Sequence, residues 1–191
     1  MITVVHGGQT GVDRGAHEAA IANGWPVAGY MPRDRRDELG TIPPDVARFL
    51  VPHEKTSYAA RTEANVRTSN AVLIVVPDTE NPRATPGTAK TIDLAIDRGL
   101  CRRIADPRTH ANLIARWIWN DLLMAGRTAQ LSFEQTTLDP ISTRLLVAGP
   151  RESKWPGARI ETVALLRRVG LALAEIARAC ESGRDLARPE R

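Results

Sequence analysis

Short apolar runs alternate along the chain with longer stretches in which apolar residues recur every three or four positions. The runs at 2–6 (ITVVH), 26–30 (PVAGY), 47–51 (ARFLV), 71–76 (AVLIVV), 101–106 (CRRIAD) and 144–149 (RLLVAG) predict strands, AVLIVV being the clearest. Helical periodicity covers 12–23, 57–68, 88–97, 109–125 and 157–181, with Gly24 and Gly99 closing two of these segments. The polar, Pro- and Gly-rich stretch 31–46 predicts a loop, and 126–143 carries no pattern that assigns it. Strands that alternate with helices predict an α/β fold, a mostly parallel sheet with helices on both faces. Residues 1–182 are expected to form a single ligand-binding domain, followed by a frayed, charged tail at 183–191.

In a parallel sheet, ligands bind outside the carboxyl ends of the strands. Three loops at such ends carry glycine and a cation ahead of a helix. The first is GGQTG, where Gly7, Gly8, Gln9, Thr10 and Gly11 precede Arg14 in the first helical turn. Its GGxxG spacing differs from the GxGxxG of dinucleotide sites, which argues against a nicotinamide cofactor. Thr10 is expected to cap this helix and Asp13 to return the cap. A cation such as Arg14 at a helix start is unfavourable unless an anion, or a nearby carboxylate such as Asp13, offsets it. The second loop is TPGTAKT, 85–91, with Gly87, Thr88 as the expected cap, and Lys90. The third, 148–157, holds Gly149, Arg151, Glu152, Ser153 and Lys154. Three such helix starts on one sheet edge favour an anionic ligand. The helix at 57–68 adds Tyr58, Arg61 and Asn65 on one face, suited to a ring and a phosphate.

The 191 residues are 42% hydrophobic and only 4% aromatic, so Val, Leu, Ile and Ala must build the core. A net charge of +4 and a pI near 9.6 would suit nucleic acid, yet no basic helix or aromatic platform accompanies them, and none is expected to bind. Asp34, Asp37 and Glu38 are expected to pair with the arginines of their own loop, Arg33, Arg35 and Arg36. Cys101 and Cys180 stand far apart, and His6, His17, His53 and His110 lack ligand spacing, so no protein-ligated metal is expected. The first strand begins by residue 2, and no apolar run reaches membrane length. These features predict a cytoplasmic protein without a membrane anchor. The helix bearing Trp117 and Trp119 and the apolar C-terminal helix suggest a homo-oligomer.

Several motifs, in order, are similar to those of the molybdenum carrier proteins: GGQTGVDR at 7–14, RxxELGTIP ending at Pro43, YxxRTxxNV at 58–66, PGT at 86–88 and AGPRESKxPG at 148–157. That family shares a Rossmann-like superfamily with the YpsA-type proteins and the phosphoribohydrolases of the lysine decarboxylase-like group. The resemblance spans residues 3 to about 170 and implies a Rossmann-like domain whose motif loops, Arg35 among them, line one pocket. The ligand it implies is molybdenum cofactor or a related oxyanion. A nucleotide shares the same outline of ring and phosphate.

Two functions follow from these motifs. In the first, the chain is a carrier: amides of the 7–11 and 149–151 loops hold phosphate, Arg14, Arg61 and Arg151 neutralise it, and Thr88 and Ser153 donate hydrogen bonds. In the alternative, it is a hydrolase acting on an N-glycosidic or phosphate bond of a nucleotide. The related phosphoribohydrolases place a glutamate after their PGGxGT motif. Here Ala89, Lys90 and Thr91 occupy those places, so Asp13 or Glu152 would have to substitute. The missing glutamate favours the carrier.

Overall fold

The computed structural model describes residues 2–124 and 143–182. Its centre is a five-stranded, wholly parallel sheet in the order β2-β1-β9-β7-β8. The strands are β1 (Ile2–Val5), β2 (Val27–Ala28), β7 (Ala71–Val75), β8 (Cys101–Ala105) and β9 (Thr143–Ala148). Helices cover both faces, which makes this an α/β, Rossmann-like fold: α1 (Val12–Ala22), α3 (Tyr58–Arg67), α4 (Pro86–Asp97), α5 (Ala111–Trp117) and α6 (Ala158–Glu181). A π-helical segment, Ile118–Met124, continues α5.

Side chains alternate across the sheet with the two-residue period of a strand. Val4, Leu73, Val75, Leu145 and Val147 join α1, α5 and α6 in the larger core. Val5, Val72, Ile74 and Leu146 join Val66 of α3 and Ile92 of α4 on the opposite face. The central strands are apolar on both faces because helices cover both, which is why AVLIVV reads as a continuous run. Trp117 is buried in the larger core, and its indole N–H donates to the Cys101 sulfur at 3.2 Å.

The order of the sheet has a direct topological meaning. The chain's last strand, β9, enters the middle of the sheet between β1 and β7. Counted from β9, the strands fall in the order 3-2-1-4-5, that of a Rossmann half-sheet. The chain is therefore a Rossmann order cut open after its first strand. The switch point, where ligands bind in such sheets, lies between β9 and β7.

The structure corrects the sequence expectations in three places. The strand expected at 26–30 breaks at Gly29, whose φ of +137° turns the chain; a Cβ there would lie 2.0 Å from the His6 carbonyl oxygen. Its second half, β3 (Tyr30–Met31), leaves the main sheet and pairs with β6 (Val51–Pro52). The strand expected at 47–51 is instead mostly the end of a short helix, α2 (Pro44–Ala47), and the turn after it. Pro44 at its first position sets φ for a helix, and Val46 and Leu50, four apart, pack on Met31 and Ile42. The loop at 31–46 also contains a small hairpin of β4 (Arg36–Asp37) and β5 (Gly40–Thr41). The unassigned stretch 126–142 and the tail 183–191 lie outside the described residues. No described helix is long and apolar enough to cross a membrane.

Candidate functional site

The loops that follow β1, β7 and β9 open on the same sheet edge because those strands are neighbours. Between them lies a cleft of ≈ 540 Å³. Gln9 and Asp13 line it from the first loop, Thr85, Gly87, Thr88 and Lys90 from the second, and Gly149, Arg151 and Lys154 from the third. Tyr58 and Arg61 of α3 close its side. Its size suits a small ligand.

The deepest charged groups in the cleft form one unit. Asp13 Oδ2 accepts the Gly7 amide at 3.0 Å and the Gln9 amide at 3.1 Å, and Arg61 Nη1 stands 3.5 Å away. Burial pushes the Asp13 carboxyl up from its ordinary value, while Arg61 and the two amides pull it down only in part. The Arg61 guanidinium lies directly over Gly7, where a Cβ would come within 1.6 Å of Nη1. Gly7 is thus the space into which Arg61 fits. The side chain of Arg61 is only 13% exposed, and among the described residues its buried Nε has no hydrogen-bond partner.

Glu38 ties together the loops behind this cleft. Its carboxylate accepts the Thr10 and Ser153 hydroxyls and the Ser153 amide, and Arg151 Nε lies 3.2 Å away. Burial opposes the charge, but these donors together hold the Glu38 carboxyl below its ordinary value. Asp37, next to it, binds Arg14 Nη2 at 2.7 Å. Asp37 and Glu38 therefore do not pair within their own loop, as the sequence suggested. They fasten that loop to α1 and to the segment ahead of α6. Their partners lie 23, 28 and 115 positions away, so no local pattern could reveal them.

Of the candidate residues, Gln9, Tyr58, Arg61, Gly87, Thr88, Gly149 and Arg151 line the cleft. Thr10, Gly11, Arg14 and Glu152 instead line a second groove of ≈ 740 Å³, bounded by Leu39 and by Ile160 of α6. Arg14 is offset by Asp37 rather than by Asp13, and its Nε also donates to the Gly8 carbonyl. Gly8 and Ser153 support the loops behind the cleft. Arg35 is exposed in a left-handed turn at φ +55° and borders neither space. Asn65 is 1% exposed and clamps the backbone of Tyr30, accepting its N–H at 2.7 Å and donating to its carbonyl at 3.0 Å. It positions β3 and does not face the cleft.

Two expected caps are also corrected. Thr10 does not cap α1: Gly11 holds that position without a side-chain cap, while Thr10 bonds Glu38 and the Glu152 amide. The cap of α4 is Thr85, which accepts from the Thr88 amide, because Pro86 starts the helix two residues earlier than expected. Glu152 accepts the Gly157 and Arg159 amides at the head of α6. Lys90 and Lys154, which the motifs contained but the expected ligand set omitted, have no carboxylate within 4 Å among the described residues.

A family model described as circularly permutated YpsA SLOG matches residues 4–170. The chain belongs to that family. The permutated order is the one the sheet displays, with β9 as the first Rossmann strand brought to the end of the chain. The crystal structure of a protein named "Putative molybdenum carrier protein" from Syntrophus aciditrophicus SB is similar, with a TM-score of 0.69 and 27% identity over 87% of this chain and 93% of that one. No curated protein matches the chain. Within this permutated sheet, the 149–157 loop follows the strand that carries the phosphate-binding turn in an unpermutated Rossmann fold.

Behind the cleft, two buried histidines set a pH response. His6 Nδ1 accepts the Gly8 amide at 3.1 Å, so the proton of a neutral His6 sits on Nε2, 3.2 Å from His17 Nδ1. Burial, then the nearby His17, Arg61 and Arg14, hold the His6 imidazole well below its ordinary value. An unfolded histidine takes up a proton as pH falls through about 6.5, and folded His6 does not. The unfolded state then binds more protons, so stability is complete above that pH and declines below it. The melting temperature is expected to fall between pH 7.5 and 5.5. His6→Asn, which keeps an acceptor for the Gly8 amide, is expected to shrink that fall. Asp13, with its raised pKa, titrates in the opposite sense, so the paired comparison isolates the imidazole. Among the described residues, no group of three or more His, Cys, Asp or Glu side chains could hold a metal ion.

Proposed function

We propose that this protein binds and carries a small anionic ligand that joins a phosphate or oxyanion to a ring. Molybdenum cofactor is the first candidate, because the similar crystal structure bears a molybdenum carrier's name. A nucleotide is the chemical alternative. The observation that carries this reading is the charge of the cleft: Arg61, Lys90, Arg151 and Lys154 line it against one carboxylate, Asp13, among the described residues. Four cations around a concave site at a Rossmann switch point are suited to an anion with several acceptor oxygens. The first turn of α4 adds partial positive charge, and Tyr58 offers an aromatic face at the rim.

A second reading, hydrolysis of a nucleotide, rests on Asp13, a cleft carboxyl whose raised pKa suits a general acid. Glu152 does not serve that reading, since both its oxygens accept amides at the head of α6 and it does not line the cleft. Release of free base or phosphate from nucleoside monophosphates would establish the hydrolase over the carrier.

Gly7→Ala tests the binding site without removing a charge. The new methyl displaces the Arg61 guanidinium, and because the obstacle is a flexible side-chain end, the fold is expected to survive. Affinity for GMP or a pterin phosphate, measured by calorimetry, should fall at least tenfold while the thermal melt changes little. Unchanged affinity in a folded Gly7→Ala protein would place the ligand elsewhere.

A further inference from the structure

Two cleft side chains have one atom fixed and one atom left over. Gln9 Oε1 accepts the Thr10 amide at 3.0 Å and the Glu38 amide at 3.2 Å. Two backbone N–H donors can be satisfied only by the amide oxygen, so the orientation of Gln9 is set by chemistry. Its Nε2, a pure donor, has no partner among the described residues. Asp13 complements it. Its Oδ2 takes the Gly7 and Gln9 amides and faces Arg61, whereas Oδ1, a pure acceptor when ionised, has no partner among the described residues. That oxygen is not sealed from solvent, since the buried atoms without partners are Arg61 Nε and Thr162 Oγ1. Gln9 and Asp13 are adjoining residues of one wall, joined by the 3.1 Å bond from the Gln9 amide to Asp13.

Resting on the reading of the cleft as an anion site, we infer that Gln9 and Asp13 recognise the ring of the ligand by its hydrogen-bonding edge. The edge is that of a nitrogen heterocycle in which an N–H donor stands beside an acceptor, as in a purine base or a pterin. Asp13 Oδ1 accepts the ring N–H, and Gln9 Nε2 donates to the neighbouring carbonyl or ring nitrogen. The cations hold the phosphate, and this pair selects what is attached to it. A sugar phosphate satisfies the cations and leaves the pair without partners. A ring whose N–H carries a methyl group pushes against Asp13. Sites built to meet polar groups discriminate strongly against ligands that lack them.

The test compares GMP, N1-methyl-GMP and ribose 5-phosphate by calorimetry on the full chain and on Gln9→Glu. Glutamate keeps an oxygen for the Thr10 and Glu38 amides but replaces the free donor with an acceptor, and a thermal melt confirms folding. Wild-type protein should bind GMP at least tenfold more tightly than either comparison ligand. In Gln9→Glu the ratio of GMP to ribose 5-phosphate affinity should fall toward one; the ratio cancels the general effect of the added charge. Equal wild-type affinities for GMP and ribose 5-phosphate, or a ratio unchanged by Gln9→Glu, would overturn ring recognition and leave the anion site standing. If none of the phosphates binds, the anion site itself fails and the inference falls with it.

Discussion

Gly149→Ala should lower the stability of this protein by about 3 kcal/mol, the upper part of the usual range for overpacking a core. Gly149 directly follows β9, and a Cβ built on it would lie 2.1 Å from the Val75 carbonyl oxygen and 2.7 Å from Val12 Cγ2. Neither neighbour can step aside cheaply. Val75 is backbone of β7, paired into the sheet on both sides, and Val12 is fully buried at the start of α1. The methyl must part β9 from β7 or push α1 off the sheet. In a domain of this size, 3 kcal/mol corresponds to a fall in melting temperature of about 6–12 °C. Gly87→Ala is the control from the same cleft: nothing lies within 4 Å of its Cβ position. Its stability should stay within about 0.5 kcal/mol of wild type. Thermal melts of both variants check the contrast. An undisturbed Gly149→Ala protein would mean that β9 and β7 do not approach this closely.

The largest effect on binding is expected from Arg61→Ala combined with Arg151→Ala. Each guanidinium lines the cleft and could make charge-assisted hydrogen bonds, typically about 1.5–3 kcal/mol apiece. Loss of both should weaken binding of a phosphate-bearing ligand by at least about a hundredfold. The fold should persist, because the amides of Gly7 and Gln9 still hold Asp13, and the Thr10 and Ser153 donors still hold Glu38. Calorimetric titration beside a thermal melt separates the two effects. Loss of folding would show the arginines to be structural, and full affinity in a folded double variant would exclude the cleft.

The carboxylate partners of the arginines qualify the picture drawn from sequence. Arg14 looked like a cation offset by an external anion or by Asp13, and the chain supplies Asp37 instead. Arg151 meets Glu38, and Arg61 stands near Asp13. Positive charge without a carboxylate partner in the cleft comes from Lys90 and Lys154. Local patterns made the sheet legible: AVLIVV, the helical periods and the glycine-bearing loops all depend on neighbours in sequence. They also brought the loops after β1, β7 and β9 to one edge. What sequence did not show depends on distant pairings. Glu38 acts through residues 28 and 115 positions away, and Asn65, an apparent ligand group on a helical face, is buried against the backbone of Tyr30. Gly29 broke a strand through one contact with His6 that no periodicity encodes.

The cleft between β9 and β7 is proposed to carry an anionic, ring-bearing ligand. Native mass spectrometry with metal analysis on protein purified from cells, wild type beside Arg61→Ala/Arg151→Ala, tests it most directly. Wild type should carry a co-purifying pterin phosphate with molybdenum, or a nucleotide, and the variant should lose it. A nucleotide without molybdenum would decide against the molybdenum cofactor as cargo. The same ligand retained at full occupancy by the folded double variant would contradict the site.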